Sequence, residues 1–339
     1  MKLVIGFITY NQVTAKYLPF FGPSLRTALA SVSGDYQILA VDNSDATDNA
    51  NAVYLNNNFP EIDLIPAGSN LGFARAYNLM IERASKLRAE YFLMLNPDMV
   101  LTPNSIVRLI EALASDESLG AVAPRILKWD FENNIQTKII DSDGLSITSS
   151  YNFSDRHQGE EVNILEPEMI FGFTGAAALI RVKALVDVAY NNQGHTEYLD
   201  ELMFVYKEDV DLSYRLQLAG WPIKLIPEAL VYHDRTASPA GESWIKVALN
   251  RRHKSRQVKR WSFLNQWILV IKYSKLDYPF RVKFRIWFYQ LASLVFVLFF
   301  ETYLISELGH LGKIWPEIKA RRQSLKIVVN PIIFEKTMD

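Results

Sequence analysis

The chain reads as an α/β protein: a mixed, mostly parallel sheet flanked by helices, followed by a helical C-terminal extension. Three observations predict this. Over the first 125 residues short apolar runs alternate with helical periodicity, each of the first four runs ends in a polar segment, and the charge changes sign near residue 240. Strand runs fall at 3–8, 37–41, 62–65 and 91–95. Between the last two, Phe73, Ala76, Tyr77, Met80, Ala84 and Leu87 share one helical face, the spacing of a helix laid on a sheet. After the fourth run, Thr102 and Pro103 predict a cap and a first helical position, with Ile106, Leu109, Ile110 and Leu113 as the buried stripe. Alternation of this kind implies parallel pairing. Ligands of such sheets bind beyond the carboxyl ends of the strands.

From 128 to 170 the pattern weakens, and Asp141-Ser142-Asp143-Gly144 predicts a hairpin or loop. Regularity returns at 176–180, 223–226 and 229–232, around an acid-dense segment. With 339 residues and 49% hydrophobic content, the chain exceeds a usual single domain, and we divide it into a catalytic domain at 1–240 and a basic, aromatic-rich helical region at 241–339. The overall charge of -1 hides this division. Residues 1–240 carry 18 Lys+Arg against 30 Asp+Glu, and residues 241–330 carry 17 against 5, so the halves stand at -12 and +12. The absence of cysteine excludes thiolate nucleophiles, disulfides and thiolate zinc sites. The N-terminal apolar run turns polar at Thr9-Tyr10-Asn11-Gln12, too early for a signal peptide.

The strand ends deliver Thr9-Tyr10-Asn11, Asp42-Asn43-Ser44, Asn70-Leu71-Gly72 and Asn96-Pro97-Asp98 to one rim. Any one is an ordinary turn; four in register indicate a site. Asp42 can accept a hydrogen bond from the imide N–H of a uracil or thymine ring. Asp98 offers a hard cation an oxygen ligand, and Mg²⁺ takes its remaining oxygens from water and diphosphate. Three acids in four residues at Glu208-Asp209-Val210-Asp211 repel one another at a helix start, where acids also complement the dipole. His233 ends the last strand run, and a neutral imidazole beside Asp98 would complete a mixed metal site.

These segments, in this order and with Gly175-Ala176-Ala177 and Val231-Tyr232-His233, resemble the family 2 glycosyltransferases, most closely their rhamnosyltransferase-type branch, over residues 1 to 240. The resemblance implies a GT-A fold, an inverting reaction, a divalent cation (Mg²⁺ or Mn²⁺) and a nucleotide-diphosphate sugar donor, dTDP-rhamnose or a UDP-sugar. It implies that Asp42 contacts the nucleobase, Asp98 binds metal, His233 reaches the metal or diphosphate, and Asp209 is the general base. Thr9, Tyr10, Asn11, Asn70, Gly72, Phe73, Arg75 and Asn96 complete the donor side; Gly175 and Glu208 belong to the acceptor side. Where relatives read Gly-Gly-Phe-Asp-Glu, this chain reads His195-Thr196-Glu197-Tyr198-Leu199-Asp200-Glu201.

Competing classes lack their signatures. A dinucleotide oxidoreductase predicts a Gly-x-Gly-x-x-Gly turn where Thr9-Tyr10-Asn11-Gln12 stands, and the acids of 42–48 lack the glycine and glutamate of a calcium loop. A catalytically inactive scaffold subunit of glycan assembly is the non-enzyme alternative. The basic run 251–260 leading into Trp261, Phe263 and Trp267 pairs cations with interfacial aromatics. It predicts attachment to the cytoplasmic face of a membrane that presents a glycan or lipid-linked acceptor. No nucleic-acid module accompanies it. The uncharged stretch 286–300 is 15 residues, short of the roughly 20 that span a bilayer, which predicts an interfacial helix or a homodimer contact.

Overall fold

A computed structural model describes residues 2–164, 166–192, 194–235 and 255–330. The division point and the basic residues 251–254 lie outside the described residues.

The main sheet has two parallel parts joined by an antiparallel strand. β1 (Lys2–Thr9) lies between β2 (Asp35–Asp42) and β4 (Tyr91–Leu95), and β3 (Ile62–Pro66) extends the parallel run from β2. β5 (Met99–Leu101) follows β4 directly, and β6 (Ala121–Asp130) lies deeper in the sheet. β7 (Ile135–Ser142), β8 (Leu145–Ile147) and β9 (Phe153–Asp155) form the excursion for which the sequence predicts a hairpin or loop, with β7 antiparallel to β6 and β8 to β9, and β10 (Glu168–Ile170) closes the far edge. β11 (Ala177–Arg181) runs antiparallel to both β4 and β6. β12 (Tyr190–Asn192) and β13 (His195–Glu197) form a separate hairpin. β14 (Ile223–His233) is one continuous strand, parallel to β6 and bulged between Ile226 and Leu230. Its last three residues pair with β5, so His233 stands opposite Met99.

Both faces of the sheet are covered, which is why β1 is apolar almost throughout. One face receives α1 (Asn11–Ala15), α2 (Leu18–Leu29) and α3 (Ala50–Asn58), with Leu18, Phe21, Leu25 and Leu55 in the core beside Leu3 and Ile5. The other receives α4 (Gly72–Lys86) through Ala76, Tyr77 and Met80. α5 (Ser105–Ser115) begins later than its capping signal indicates. Thr102 Oγ1 donates to the Leu230 carbonyl at 2.8 Å, a tertiary bond that ties β5 to β14 and takes the hydroxyl away from the helix. α6 (Val182–Asp187) and α7 (Glu208–Leu218) complete the head.

The extension packs on the head. α8 (Arg256–Tyr273) buries Ile268, Leu269, Val270 and Tyr273 in a third core with Val210, Tyr214 and Leu218 of α7. Tyr273 stacks on Tyr214, with ring centroids 4.2 Å apart. Fully buried Lys272 pairs with Asp200 at 2.8 Å and with Asp211, and Arg215 pairs with Asp211 at 2.8 Å. After α9 (Phe280–Phe300) and α10 (Ile305–Lys313), α11 (Trp315–Gln323) returns to the same place. Arg321 meets Glu197 at 2.7 Å and Asp200 at 2.9 Å. The segment 195–201 therefore supplies the carboxylates that fasten the basic extension.

Candidate active site

Beyond β1 and β2, Asp42 is 1% exposed and accepts from Thr9 Oγ1 at 2.9 Å, Ser44 Oγ at 2.6 Å and Asn49 Nδ2. These bonds fix the carboxylate and leave it a fourth acceptor position. Tyr10 N donates to Thr14 Oγ1, and Asn11, in a left-handed conformation at φ 43°, donates its N–H to Ser44 Oγ. Beyond β3, Asn70 Oδ1 accepts from Gly72 N at 2.9 Å, and Asn43 Nδ2 donates to the Gly72 carbonyl. Gly72 has φ 78°, and a Cβ there would lie 2.5 Å from the Phe204 carbonyl oxygen, so only glycine fits. Asn70 and exposed Arg75 line a cleft of about 290 Å³ with Glu201 and Phe204. Asn96 N donates to the Ala176 carbonyl at 2.8 Å, setting the chain that carries Asp98.

Asp98 and His233 come together because β5 and β14 pair. His233 Nε2 lies 3.3 Å from Asp98 Oδ1, and Nδ1 lies 2.9 Å from Asp141 Oδ2. The first is an ionic contact without hydrogen-bond geometry, so Asp98 Oδ1 is buried with no donor. Burial alone would lower the histidine pKa, but Asp98 and Asp141 overcome it and push it up to about 10. His233 is thus an imidazolium between two carboxylates, where the sequence predicts a neutral ring. Among the described residues no cluster of three or more His, Asp or Glu forms a metal cage. The undonated Asp98 oxygen still fits a cation that takes most of its ligands from water and diphosphate, and His233 would join it only after losing its Nε2 proton.

Asp209 is held differently. Its Oδ2 accepts from Gly175 N and its Oδ1 from Val210 N, both at 2.8 Å. A Cβ on Gly175 would come within 3.1 Å of Phe73 Cζ and 3.6 Å of Asp209 Cβ, so this residue lets three candidate positions meet. Burial raises the Asp209 pKa, and the two N–H donors offset part of that rise. Glu208, 4% exposed with Oε2 unbonded, is raised well above the carboxylate range by burial and then by Asp209. Asp211 does not share this environment: burial favours its neutral form, but Lys272 and Arg215 hold its pKa low. The acid triplet thus divides into two carboxyls with raised pKa and one structural anion.

α7 begins from Tyr206 and Lys207, at φ 74° and 70°. Each non-glycine residue in this region costs about 1–2 kcal/mol. The excursion between β6 and β11 supplies residues that sequence reasoning missed. Asp141 orients His233, and Arg235 bridges Asp155 at 2.6 Å and Asp141 at 3.6 Å. Arg235 also acts electrostatically on Asp209, and the Tyr77 phenol lies in the fields of both Asp98 and Glu208. The two acid centres therefore share one electrostatic unit. The missed signal was Asp141-Ser142-Asp143 at a strand end.

Comparison with known proteins agrees with this architecture. Residues 5–188 match the glycosyl transferase family 2 profile. The N-acetylglucosaminyl-diphospho-decaprenol L-rhamnosyltransferase of Mycobacterium tuberculosis is 27% identical over 268 residues, 73% of this chain and 82% of that protein. The poly-beta-1,6-N-acetyl-D-glucosamine synthase of Staphylococcus aureus is 27% identical over 62% of this chain, which spans 45% of its length. Two solved structures share the fold. GalNAc-T7 with UDP, GalNAc and Mn2+ has TM-score 0.53 at 12% identity, covering 69% of this chain and 44% of that one. S. aureus TarS 1-349 has TM-score 0.51 at 11% identity, covering 100% and 83%. With a profile match over more than half of its length and this fold, the chain belongs to glycosyl transferase family 2, as a GT-A glycosyltransferase similar to the rhamnosyltransferases.

Proposed function

We propose that the chain is an inverting, cation-dependent transferase that moves a sugar, foremost L-rhamnose from dTDP-rhamnose and otherwise a sugar from a UDP donor, to a hydroxyl of a glycan or lipid-linked acceptor in cell-surface polysaccharide synthesis. The observation that carries it is the pair of acids in unlike settings: Asp98, with an undonated oxygen beside His233, and Asp209, with a raised pKa on a fixed turn. The rhamnosyl and lipid-diphosphate terms in the M. tuberculosis relative's name support the donor and the acceptor class. The Mn2+ and UDP of the GalNAc-T7 structure support a cation and a nucleotide.

In this reading Asp42 takes the base imide, and Thr9, Tyr10, Asn11, Asn70, Gly72, Phe73, Arg75 and Asn96 form the donor cradle. Asp98 and His233 would hold Mg²⁺ or Mn²⁺, which when bound supplies charge stabilisation to the departing diphosphate. Asp209 takes the proton from the acceptor hydroxyl as that oxygen attacks the anomeric carbon. Its raised pKa strengthens it as a base, and such a base is worth ~10²- to 10⁴-fold. Gly175 and Glu208 border the acceptor.

Residues 1–240 are the transferase unit in this reading, and the rest seats it on the cytoplasmic face of the membrane. Support comes from α9, 21 residues long, whose Phe280, Phe284, Trp287, Phe288, Leu291 and Phe299 are exposed on one side with Arg281 and Arg285 beside them. α8 before it and α11 after it both fasten to the head, whereas a single spanning helix would put its flanks on opposite sides. This favours a helix lying in one leaflet.

Thermal shift against a panel of nucleotide-sugars with Mg²⁺ or Mn²⁺ tests the donor, since binding the native state raises stability with ln(1 + [L]/Kd). The expected result is a strong shift with dTDP-rhamnose and none with GDP-sugars. Asp209→Asn should keep the shift and lose at least 100-fold in transfer; transfer within threefold of the parent removes Asp209 from the mechanism.

A further inference from the structure

The turn that presents Glu208 and Asp209 is held from outside the transferase unit. Tyr206 and Lys207 are consecutive left-handed residues, a conformation that side chains with a Cβ leave unless their surroundings enforce it. Asn265, in the middle of α8 and 1% exposed, donates through one amide nitrogen to the Val205 carbonyl at 2.9 Å and to the Tyr206 carbonyl at 2.7 Å. Its neighbour Gln266 accepts from Lys207 Nζ and donates to the Tyr151 carbonyl. On the preceding side, Trp261 stacks on Phe204, whose carbonyl accepts from Phe73 N at 2.7 Å. Three successive carbonyls, 204 to 206, are thereby fixed by named donors. On the far side the Lys207 carbonyl accepts from Asp211 N, the first bond of α7.

We propose that Asn265 is a positioning residue for transfer, holding the left-handed pair so that Asp209 meets Gly175 N–H and faces the acceptor. Resting on the general-base reading above, this assigns the extension a second role, in the geometry of the proton-accepting group. An asparagine in mid-helix is otherwise a poor choice, since it favours turns and caps over helix interiors. Here both its donor hydrogens are spent on the Val205 and Tyr206 carbonyl oxygens. Asn265 touches neither donor nor acceptor in this scheme, so its loss should act on turnover and spare donor binding.

The test is Asn265→Ala in the full-length chain. The expected result is a 10- to 100-fold loss of kcat with the donor KM within threefold and an unchanged donor-induced thermal shift. Tyr206→Gly in that background separates positioning from packing, because glycine adopts the left-handed region without cost; it should restore at least fivefold of the lost kcat. If Asn265→Ala does not fold, Asn265→Asp decides. A protonated acid donates one bond and a carboxylate none, so the ratio of variant to parent kcat should fall as pH rises from 5 to 8. An unchanged kcat in Asn265→Ala, a loss that Tyr206→Gly leaves unrestored, or a flat Asn265→Asp ratio overturns the proposal. Asp209→Asn run in parallel keeps the readings apart: a normal kcat there sinks the general base, whereas a dead Asp209→Asn beside a normal Asn265→Ala sinks only the positioning role.

Discussion

His233 sits between two carboxylates, 3.3 Å from Asp98 and 2.9 Å from Asp141, and its pKa of about 10 makes it a cation at neutral pH. A metal ion on Asp98 must compete with that proton. If His233 joins the metal, Mg²⁺ affinity, measured by titration in the presence of nucleotide, should rise by up to about tenfold per pH unit between pH 7 and 9, and His233→Gln should flatten the slope. A flat response in the parent protein would show that His233 keeps its proton. Glu208 gives a second, independent sign. Its folded pKa lies well above 4.5, so it stabilises the fold below that pH, and stability is lost as pH rises through the window up to its folded value. Glu208→Gln should unfold at higher temperature than the parent at pH 8 and at the same temperature near pH 4, read by melting curves across pH.

At the scale of elements, α7 and α8 behave as one buried pair. Lys272 of α8 is 0% exposed and faces Asp200 and Asp211. Breaking a buried ion pair by removing one partner costs about 3–5 kcal/mol, because the charge left behind stays desolvated. Lys272→Met should lose that much in urea unfolding, whereas Lys326→Met, at the exposed Asp187 pair, should lose under about 1 kcal/mol. Equal losses would mean that the network is solvated in solution. The element most poorly read from sequence is the one between β6 and β11. Its polar run 141–144 looks like turn chemistry, yet Asp141 and Asp143 are 1% and 0% exposed. They are buried because His233 and Arg125 arrive from β14 and β6 to pair with them, and no local pattern carries that information.

For the whole molecule, the opposed charges of head and extension act at short range, through Lys272 and Arg321 on the carboxylates of 197–211. Truncation that removes residue 255 and everything after it should therefore leave Tyr214 and Leu218 uncovered and abolish a cooperative melt. Membrane seating is better probed with Phe284→Glu and Phe288→Glu together, since both rings are exposed. The pair should keep the parent melting temperature and lose flotation with anionic vesicles. The chain has no cysteine, so a single Ser306→Cys reports topology: labelling from outside the vesicle is expected for a helix in one leaflet. Flotation retained by the double variant would overturn the seat, and loss of a sedimenting dimer in it would assign this face to a second copy.

Strand alternation, the polar strand ends and the acid triplet were legible without coordinates because each is local: a period, a turn residue, a helix start. The family resemblance rests on the same short segments, and it carried the fold class with it. What sequence could not decide was how segments far apart share charge. The mutual repulsion of Glu208, Asp209 and Asp211 does not say what Asp211 does; it is a structural anion because Lys272, 61 residues later, lies against it. His233 was read as neutral because its protonation depends on Asp141, 92 residues away. Burial and pairing set these properties together, and both are decided only when the extension, the excursion and the sheet edge fold onto one another.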